Sequence, residues 1–535
     1  MTKTSLRKIP RILDSCSGCG YCFLLCPRKA VETVKGEKGL YRVNERLCNS
    51  CDICMFACPV DAIEHPFFNG QETQGLNSTV NQENLFFQKQ PYDAIIIGSG
   101  IGGLLAAASL SKSGKKVILV ERLNFIGGRF TDFLFEGVKI NSGAFHILPH
   151  GVNGPFAKMI KSLNLPVNIY SNAGLGSLYV NGRQFRWKRM LDVLFPFSFW
   201  DRVALLKILL KMQVVGQVPA DESFEDWLNK QSSSMMIRSF FERMINFGCS
   251  SSMSCLTFNE VRMIIRNVYK SGFPGIIRGG CGNVVNKLAK LIKDHQGDLL
   301  TVAEATELLV DHGAVTGVRV LDRKSGTKFR LNADLVVSDI GPQATCALIG
   351  NIEDLEPQKL RRMKTVVNTK AALNTSKNMN RCTDNSIKEA SGLCIRFLSD
   401  MPLLSHGGIM LCLDTARVTG IVQPTALDPG LAPQGKHLLI AHQLLMSPDI
   451  EKELDLGLSD LGSIFGDSFN QHCRVLSTGV FKKDWPVNRA VQGYDSPGIN
   501  LLQGLYLVGD GCKSSGYVMV EGIAKQVTEL LSQII

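Results

Sequence analysis

The feature that most constrains this chain is a pair of matching cysteine runs near its N-terminus. Each run follows the pattern C-x2-C-x2-C-x3-C-P, and the ligand candidates are Cys16, Cys19, Cys22, Cys26, Cys48, Cys51, Cys54 and Cys58. Three thiols spaced two residues apart can wrap one corner of an iron–sulfur cubane, and the fourth then crosses to a second cubane. Structural zinc, which usually takes separated pairs of ligands, and a disulfide framework explain the repeated spacing less well. The spacing therefore predicts two [4Fe–4S] centres.

The same spacing assigns the eight ligands to two centres. Because the fourth cysteine of each run crosses over, we expect one cluster on Cys16, Cys19, Cys22 and Cys58, and the other on Cys48, Cys51, Cys54 and Cys26. The segment from about Cys16 to Glu64 resembles the bacterial dicluster ferredoxins throughout. We therefore predict a small α+β ferredoxin-like domain over residues 1–66, followed by a polar linker over residues 67–91.

Composition and charge exclude some classes of protein. The chain has 535 residues, of which 45% are hydrophobic and 20% charged, and this is enough for several domains. Its net charge of +11 is spread along the chain without a Lys/Arg run, so no nucleic-acid partner is expected. A mildly basic surface suits an acidic redox partner or an anionic membrane, and it would also serve solubility alone.

Cysteine usage and the lack of long apolar stretches bear on location. Of the 17 cysteines, eight lie in the runs and the remaining nine are scattered, which fits a reducing interior. The start of the chain has no apolar core of a secretory signal, and no apolar stretch is long enough to span a membrane. We expect a cytoplasmic protein, with peripheral contact at the inner face of the cell membrane as an alternative.

A complete strand–helix–strand unit follows the linker. A β-branched strand, a glycine-rich turn, an Ala/Leu-rich helix and a second strand succeed one another. In the turn, Gly98 permits the tight bend, Gly100 the approach of a pyrophosphate, and Gly103 close packing of helix on strand. Glu121 follows the second strand, where a carboxylate can accept hydrogen bonds from ribose hydroxyls. Because all these parts occur in order, the unit predicts a dinucleotide site.

Two further motifs resemble the flavin-containing amine oxidase superfamily, and within it the phytoene desaturases and carotenoid isomerases. Gly128-Arg129 belongs to a Gly-Gly-Arg segment, and Gly509-Asp510 ends a strand near the C-terminus before a final helix. The resemblance implies that the dinucleotide is FAD, with Gly128 and Arg129 along the pyrophosphate and flavin and Asp510 at the ribityl or pyrophosphate part. It also implies that the start of the final helix, near Val518, points at the flavin ring.

The same resemblance covers about residues 92–535 and implies the architecture. We expect an α/β fold, in which a Rossmann-type FAD-binding domain carries an inserted α+β substrate domain and is preceded by the small α+β ferredoxin-like domain. The predicted boundaries place the FAD-binding domain at 92–150, 275–345 and 500–535, and the substrate-binding domain at 151–274 and 346–499.

The sequence contains no second strand–glycine turn–helix unit that would bind a nicotinamide cofactor. The clusters offer another route, in which single electrons enter through iron–sulfur centres and accumulate in pairs on FAD. Because cluster potentials can be very low, this route suits a substrate that is hard to reduce. We therefore favour reduction over oxidation, and a ferredoxin- or flavodoxin-like electron carrier is a candidate partner.

The predicted substrate domain contains an aromatic run over 195–200 and an apolar segment over 203–218. Lys207 and Lys211 lie four residues apart in the apolar segment. Such a segment can lie on a membrane with its lysines reaching the headgroups, or form a core helix over an apolar tunnel. Either arrangement indicates an apolar small-molecule substrate, and the resemblance implies an isoprenoid or polyene.

No nucleophile–base set stands out, and flavin chemistry needs none because the cofactor carries hydride itself. Reduction of a carbon–carbon double bond still requires a proton donor, and His146 and Tyr517 are our catalytic candidates because the resemblance places their segments near the flavin. The resulting hypothesis is an FAD- and iron–sulfur-dependent oxidoreductase that reduces or desaturates a carbon–carbon double bond. The alternatives are an amine- or porphyrinogen-type flavin oxidase and an electron-transfer subunit of a larger redox complex.

Overall fold

A computed structural model describes residues 9–34, 41–48, 53–64, 87, 92–144, 147–171, 176–213, 219, 221–272, 274–349, 390–482, 485–495 and 502–534. Its strands are β1 (Arg11–Ile12), β2 (Val31–Thr33), β3 (Tyr41–Val43), β4 (Ile63–Glu64), β5 (Ala94–Ile97), β6 (Val117–Val120), β7 (Asp132–Phe135), β8 (Val138–Asn141), β9 (Ile169–Ser171), β10 (Gly176–Val180), β11 (Arg183–Trp187), β12 (Gly275–Ile277), β13 (Asp298–Leu300), β14 (Ala303–Asp311), β15 (Ala314–Asp322), β16 (Lys328–Asn332), β17 (Val336–Ser338), β18 (Gly392–Ser399), β19 (Ile409–Cys412), β20 (Val418–Val422), β21 (His437–Leu444), β22 (Cys473–Phe481) and β23 (Leu505–Leu507). Its α-helices are α1 (Tyr21–Leu25), α2 (Ile53–Phe56), α3 (Ile101–Lys112), α4 (Pro155–Ser162), α5 (Phe199–Gln213), α6 (Phe224–Asn229), α7 (Met235–Cys249), α8 (Phe258–Ser271), α9 (Cys281–Asp294), α10 (Pro342–Ala347), α11 (Ile450–Phe465), α12 (Asp467–His472) and α13 (Met519–Ile534).

The predicted strand–helix–strand unit forms the centre of a parallel sheet with the order β13–β6–β5–β17–β23. Successive residues of β5 point to opposite faces of this sheet. Ile96 packs in the core formed with helices α3, α9 and α13, whereas Ile95 packs in the core formed with the antiparallel sheet β14–β15–β16. Because both faces are covered, β5 and β6 are apolar along their whole length, as is typical of parallel strands.

A second sheet draws its strands from two distant parts of the chain. Its order is β11–β10–β19–β20–β21–β18–β22, with β10 and β11 preceding the other five strands by more than 200 residues. Leu393, Ile395 and Phe397 on one face of β18 pack with Leu461 of helix α11. On the other face helix α7 approaches closely, because Gly420 of β20 leaves room for the ring of Phe247.

The cysteine-rich segment forms two short antiparallel pairs, β1–β4 and β2–β3, together with the short helices α1 and α2. Its small core joins Val31, Tyr41 and Ala62 to the cysteines Cys22 and Cys58. A segment of this size buries little apolar surface, so bound metal centres would add substantially to its stability.

Polar contacts hold this cysteine-rich module against both sheets. The Asp61 carboxylate accepts hydrogen bonds from Arg122 at 3.1 Å and from Arg323 at 2.6 Å, and both arginines belong to the part built around the parallel sheet. The Val480 N–H in β22 donates to the Gly18 carbonyl at 3.1 Å. The module therefore packs where the two larger parts of the chain meet.

The predicted α/β fold class, with a preceding ferredoxin-like domain, is confirmed. The domain boundaries stay predictions. The predicted linker over residues 67–91 lies outside the described residues apart from Phe87. Within the described part of the chain, none of the helices has both the length and the apolar character required to cross a bilayer.

Candidate functional site

One wall of the candidate site is the glycine-rich turn between β5 and α3. Gly98 has φ +92°, in the left-handed region that favours glycine. A Cβ on Gly103 would overlap the carbonyl oxygen of Gly98, and a Cβ on Gly102 would lie 2.8 Å from the Cα of Gly509. Helix α3 therefore approaches the ends of β5 and β23 as closely as two backbones can, and its N-terminus borders the adjoining cavity.

A cavity of about 520 Å³ opens beside this turn. The predicted cofactor residues that line it are Gly98, Gly100, Glu121, Gly128, Arg129 and Asp510. Gly103 and Gly509 stand behind this wall, where their missing side chains allow close backbone packing. Val518 is buried, and the residues after it, Met519 and Val520, form the wall at the start of α13. The fold thus gathers three distant segments around one cavity.

Glu121 is held in place by donors from the chain itself. Its Oε2 accepts hydrogen bonds from the Ser99 N–H at 2.8 Å and the Ser99 hydroxyl at 2.6 Å, and its Oε1 accepts one from the Leu123 N–H at 2.8 Å. A carboxylate has about four acceptor positions, so one remains for a ligand hydroxyl. The assignment of Glu121 to the ribose of FAD stays a prediction.

A buried charge network joins the Gly-Gly-Arg segment to the C-terminal strand. The Asp510 carboxylate is paired with the Arg129 guanidinium and accepts hydrogen bonds from Lys513 Nζ and the Arg489 N–H, each at 2.9 Å. Lys513 Nζ also lies 2.8 Å from Asp495 Oδ1. Burial alone would raise the pKa of Asp510, but the charges of Lys513 and Arg129 outweigh it and hold that pKa well below its ordinary value. Asp510 is therefore an anion that fixes Arg129 against the cavity.

Asp339 is a site residue that sequence reasoning missed. It follows β17 directly, and its carboxylate packs against Gly100, Gly102 and Gly509, where any Cβ would collide with it. Burial raises the pKa of Asp339 to about 7, and its Oδ2 has no hydrogen-bond donor among the described residues. An unpaired acceptor beside the glycine turn suits a ligand that carries hydroxyl donors, such as the sugar and polyol parts of FAD. The sequence feature that could have indicated Asp339 is its position at the carboxyl end of a predicted parallel strand.

The far end of the cavity is apolar. It is lined by Ile147, Leu148, Ile277, Phe481 and Trp485. The polar glycine turn and this apolar end match the two halves of a flavin dinucleotide, of which one carries phosphates and the other an aromatic ring system. The residues present therefore fit FAD.

The thiols of the first predicted cluster lie close together. Burial raises the pKa of the Cys19 thiol to about 12, and the neighbouring thiols Cys58 and Cys16 add to that rise. The same thiols raise the pKa of Cys22 after the larger effect of burial. The Ala62 N–H donates to Cys58 Sγ at 3.1 Å, a contact of the kind that tunes cluster sulfurs.

The second predicted set is only partly described. Cys51 lies outside the described residues, whereas Cys48 and Cys54 are half-buried and Cys26 Sγ accepts a hydrogen bond from the Ala30 N–H at 3.2 Å. In the part of the chain that the structure describes, no three His, Cys, Asp or Glu side chains form a group for a single metal ion. Both ligand sets fit cubanes by residue type and order, and the ligand assignments stay predictions.

The two catalytic candidates differ in what the structure shows. His146 lies outside the described residues. Tyr517 stands with its ring 5.4 Å from that of His150, and the wall of the cavity begins two residues later, at Met519. The role of each as a proton donor stays a prediction.

Arg396 is a second residue that sequence reasoning missed. Its side chain is 1% exposed, and it donates one hydrogen bond, at 2.9 Å, to the carbonyl of Gly143 in the cavity wall. Its Nε and one terminal nitrogen have no partner among the described residues. The sequence feature that could have indicated Arg396 is an arginine inside the apolar strand β18. A buried cation without a charged partner among the described residues favours a nearby anion.

These features define a flavin oxidoreductase joined to an iron–sulfur module, and the sequence agrees with both parts. Residues 101–524 match the family of flavin containing amine oxidoreductases, and residues 11–65 match the 4Fe-4S dicluster domain. The chain belongs to the flavin containing amine oxidoreductase family. FAD and two [4Fe–4S] clusters are its cofactors, as predicted.

Similar proteins support the predicted resemblance. An oxidoreductase from Methanosarcina mazei of known crystal structure is 31% identical, with a TM-score of 0.72, over 82% of this chain and 99% of its own. Prolycopene isomerase 1 from an Oncidium hybrid cultivar is 22% identical over 79% of this chain and 81% of its own. All-trans-retinol 13,14-reductase from Danio rerio is 22% identical over 54% of each chain.

Gly103→Ala tests the close packing behind the cavity. We expect it to weaken FAD binding by roughly tenfold or more, because the added Cβ would push α3 away from the turn that faces the pyrophosphate. The measurement is the dissociation constant of the apo-protein for FAD, followed by flavin fluorescence. Gly248→Ala, in helix α7 with open space around its Cβ, is the matched control. An equal loss in both variants would contradict the packing argument.

Glu521→Gln tests a buried carboxyl group at the start of α13. Glu521 accepts hydrogen bonds from the Phe156 N–H at 2.9 Å and the His150 N–H at 3.3 Å, and burial raises its pKa to about 7. The pKa of a glutamate side chain in the unfolded chain is about 4.3. The contribution of Glu521 to the free energy of unfolding is therefore greatest below that pH and is lost as the pH rises towards 7.

In the Glu521→Gln variant no group titrates at this position. Its Tm should therefore fall less than that of the wild type between about pH 5 and about pH 8. Thermal unfolding of both proteins across this range checks the prediction. Glu529→Gln, exposed on the same helix, is the control and should follow the wild type. Parallel pH curves for Glu521→Gln and the wild type would show that the raised pKa is absent.

Proposed function

We propose that this protein is an FAD- and iron–sulfur-dependent reductase that adds hydrogen to a carbon–carbon double bond of an apolar substrate. The observation that carries the proposal is the docking of the cysteine-rich module, in which Tyr21, the neighbour of Cys22 in the chain, is hydrogen-bonded to Trp485 of the cavity wall. The absence of a second dinucleotide motif from the sequence supports electron entry through the clusters. Two similar proteins, named for a polyene and for reduction of retinol, support an apolar unsaturated substrate.

The two cluster sites differ in how exposed their described ligands are, and this difference favours one direction of electron flow through the module. In the first set Cys19, Cys22 and Cys58 are buried and Cys16 is half-buried, whereas the described members of the second set, Cys26, Cys48 and Cys54, are all half-buried. The second site is thus the more exposed of the two by its described ligands, which favours it as the side where an electron carrier would dock. A ferredoxin- or flavodoxin-like protein with an acidic surface is the carrier that suits a chain of net charge +11.

The bound cofactors would supply the redox chemistry, the clusters passing single electrons and the flavin transferring them as a pair. Two one-electron deliveries from the carrier and two protons balance the addition of two hydrogens to one double bond. The chain's own contribution is to fix Arg129 through Asp510 and to line part of the cavity with apolar side chains. His146 and Tyr517 remain the candidate proton donors.

Two other functions make different predictions. An amine- or porphyrinogen-type oxidase would turn over with oxygen alone and would need no electrons from the clusters. An electron-transfer subunit would accept electrons yet convert no small molecule. The docked module argues against the first, and the apolar lining of the cavity, which suits a small-molecule substrate, argues against the second.

Exchange of single cysteines tests the relay. Cys58→Ser and Cys26→Ser should each remove one cluster and roughly half of the iron, and Cys473→Ser, outside both runs, should remove none. In an anaerobic titration with dithionite, followed by optical and EPR spectra, we expect wild-type clusters and flavin to exchange electrons within one molecule. Each ligand variant should slow flavin reduction. Clusters that become reduced while the flavin stays oxidised would refute the relay.

We also propose that the substrate domain rests on a lipid surface. Phe195, Phe199, Trp200, Leu206 and Leu210 are 40–77% exposed along and just before helix α5, and we call them the aromatic face. The opposite side of the helix is buried through Leu205, Ile208 and Met212, so the aromatic face has no partner among the described residues.

Charge complementarity favours an anionic membrane as the occupant of the aromatic face. Lys207 and Lys211 are exposed on the same helix, and Arg183, Arg186 and Lys188 are exposed on the neighbouring strand β11 and the turn after it. Aromatic side chains flanked by basic ones lie favourably at the interface between headgroups and acyl chains. An apolar substrate dissolved in the bilayer would then be delivered close to the protein.

A double variant, Phe199→Ser with Trp200→Ser, tests this contact. We expect its affinity for phosphatidylglycerol-containing vesicles to fall roughly tenfold to a hundredfold, because two large side chains no longer leave water. Co-sedimentation with vesicles measures the change. Leu134→Ser removes an equally exposed apolar side chain from hairpin β7–β8 and should bind as the wild type does. Failure of the wild type to bind vesicles would overturn the membrane proposal.

A further inference from the structure

We propose that Tyr21 and Trp485 form the contact through which electrons pass from the first cluster site to the FAD cavity. This inference rests on the proposed function, because it names the residues that connect the two redox sites.

Tyr21 belongs to the cluster site by sequence. It stands between Cys19 and Cys22 at the start of helix α1, and it is covalently adjacent to Cys22. Its side chain is 1% exposed and points away from the cysteine-rich module into the larger part of the protein. Electron tunnelling is faster through bonds than through gaps, so a residue bonded directly to a cluster ligand is a favourable first step.

The hydroxyl of Tyr21 reaches two parts of the cavity wall. It donates a hydrogen bond to the carbonyl of Ser142 at 2.8 Å and accepts one from Nε1 of Trp485 at 3.2 Å. Ser142 precedes Gly143, which lines the cavity, and its own hydroxyl donates to the carbonyl of Gly128 at 2.8 Å. Both branches therefore end at residues that border the cofactor site.

Of the two routes from the Tyr21 hydroxyl to the cavity, the one through Trp485 is shorter than the one through Ser142. Its indole lines the apolar end of the cavity and meets the Tyr21 ring edge to face, with centroids 5.7 Å apart. The guanidinium of Arg129, which also lines the cavity, lies 5.8 Å from the indole centroid. From the Cys22 backbone to the cavity, the route crosses one side chain, one hydrogen bond and one further ring.

Phe125 and Phe133 enclose this contact. Their rings lie 5.6 Å and 5.3 Å from that of Tyr21, both edge to face. Docking alone does not require such a placement, because Asp61 already ties the module to Arg122 and Arg323. What distinguishes Tyr21 and Trp485 is that one is bonded to a cluster ligand and the other lines the cofactor cavity.

The electron balance of the step is simple. With both cofactors bound, each passage would take one electron from the first cluster and give one to the flavin, so two passages would supply the pair needed for one double bond. The electrons would come from the low-potential carrier of the proposed function, or from dithionite in the experiment.

The test uses the full chain loaded with both cofactors. Stopped-flow mixing with dithionite, without oxygen, follows the clusters and the flavin separately by absorbance. In Trp485→Leu we expect the passage of electrons to the flavin to slow severalfold, because the indole ring and its hydrogen bond to Tyr21 are lost from the route. Reduction of the clusters should keep its rate. The midpoint potentials of clusters and flavin, measured by EPR and optical titration, give the driving force of the step in each variant, because Trp485 lines the cofactor cavity.

Conservative variants and a control separate electron transfer from packing. Trp485→Phe keeps a ring but loses the hydrogen bond, and Tyr21→Phe loses both bonds of the hydroxyl, so both should slow the step less than Trp485→Leu does. Trp227→Leu removes a tryptophan of equal exposure, 6%, that packs against Phe224 and Phe258 away from the cavity wall, and should leave the rate unchanged.

The outcomes distinguish this inference from the proposed function. Wild-type transfer that all three contact variants retain at full rate would overturn the Tyr21–Trp485 contact and leave the relay standing. A slower step that the measured shift in midpoint potentials fully accounts for would also overturn it, because driving force would then explain the change. Absence of any transfer in the wild type would overturn the relay and the contact together.

Discussion

The buried hydroxyl of Tyr21 joins the cysteine-rich module to two segments of the larger part of the chain, in addition to the ion pairs of Asp61. Its hydrogen-bond partners, Ser142 and Trp485, are 121 and 464 residues away along the chain. A buried hydroxyl without partners costs about 1–3 kcal/mol, so the burial of Tyr21 is favourable only when these three segments meet in one arrangement. The interaction is modest in energy but specific in geometry, and it sets cluster ligands beside a cofactor cavity.

The buried charges of the site follow a related logic. Replacing buried ion pairs with apolar groups is often neutral or stabilising, because the removal of two charges from water is costly. This chain nevertheless buries Lys513 between Asp495 and Asp510, and pairs Asp510 with Arg129. The pairs join the Gly-Gly-Arg segment to the turn before α13, so they position two walls of the cavity relative to each other. Their value lies in position more than in net stability.

Sequence patterns were sufficient to predict the elements that are formed by residues adjacent in the chain. The β-branched strand β5, the glycine turn and the apolar strand β6 are each predicted from consecutive residues. The structure contains both strands side by side in the parallel sheet, with the turn directly after β5. Spacing likewise placed Cys16, Cys19 and Cys22 near one another, because three ligands on one short segment cannot be far apart. The role of Val518 at the cofactor stays a prediction, and the residues after it, Met519 and Val520, line the cavity. Positive φ at Met519, +53°, turns the chain just where the helix begins, and sequence does not show such a turn.

By itself, the sequence determined the class of fold, the cofactors and the order of the modules, since each depends on short motifs whose chemistry needs particular residues at particular spacings. Only the tertiary structure decided that Asp339 packs against the glycine turn, that Arg396 donates a hydrogen bond to Gly143 in the cavity wall, and that Trp485 meets Tyr21. These residues carry no motif, and their roles arise from contacts between segments hundreds of residues apart. Burial and pairing are properties of the packed chain, and no local spacing encodes them.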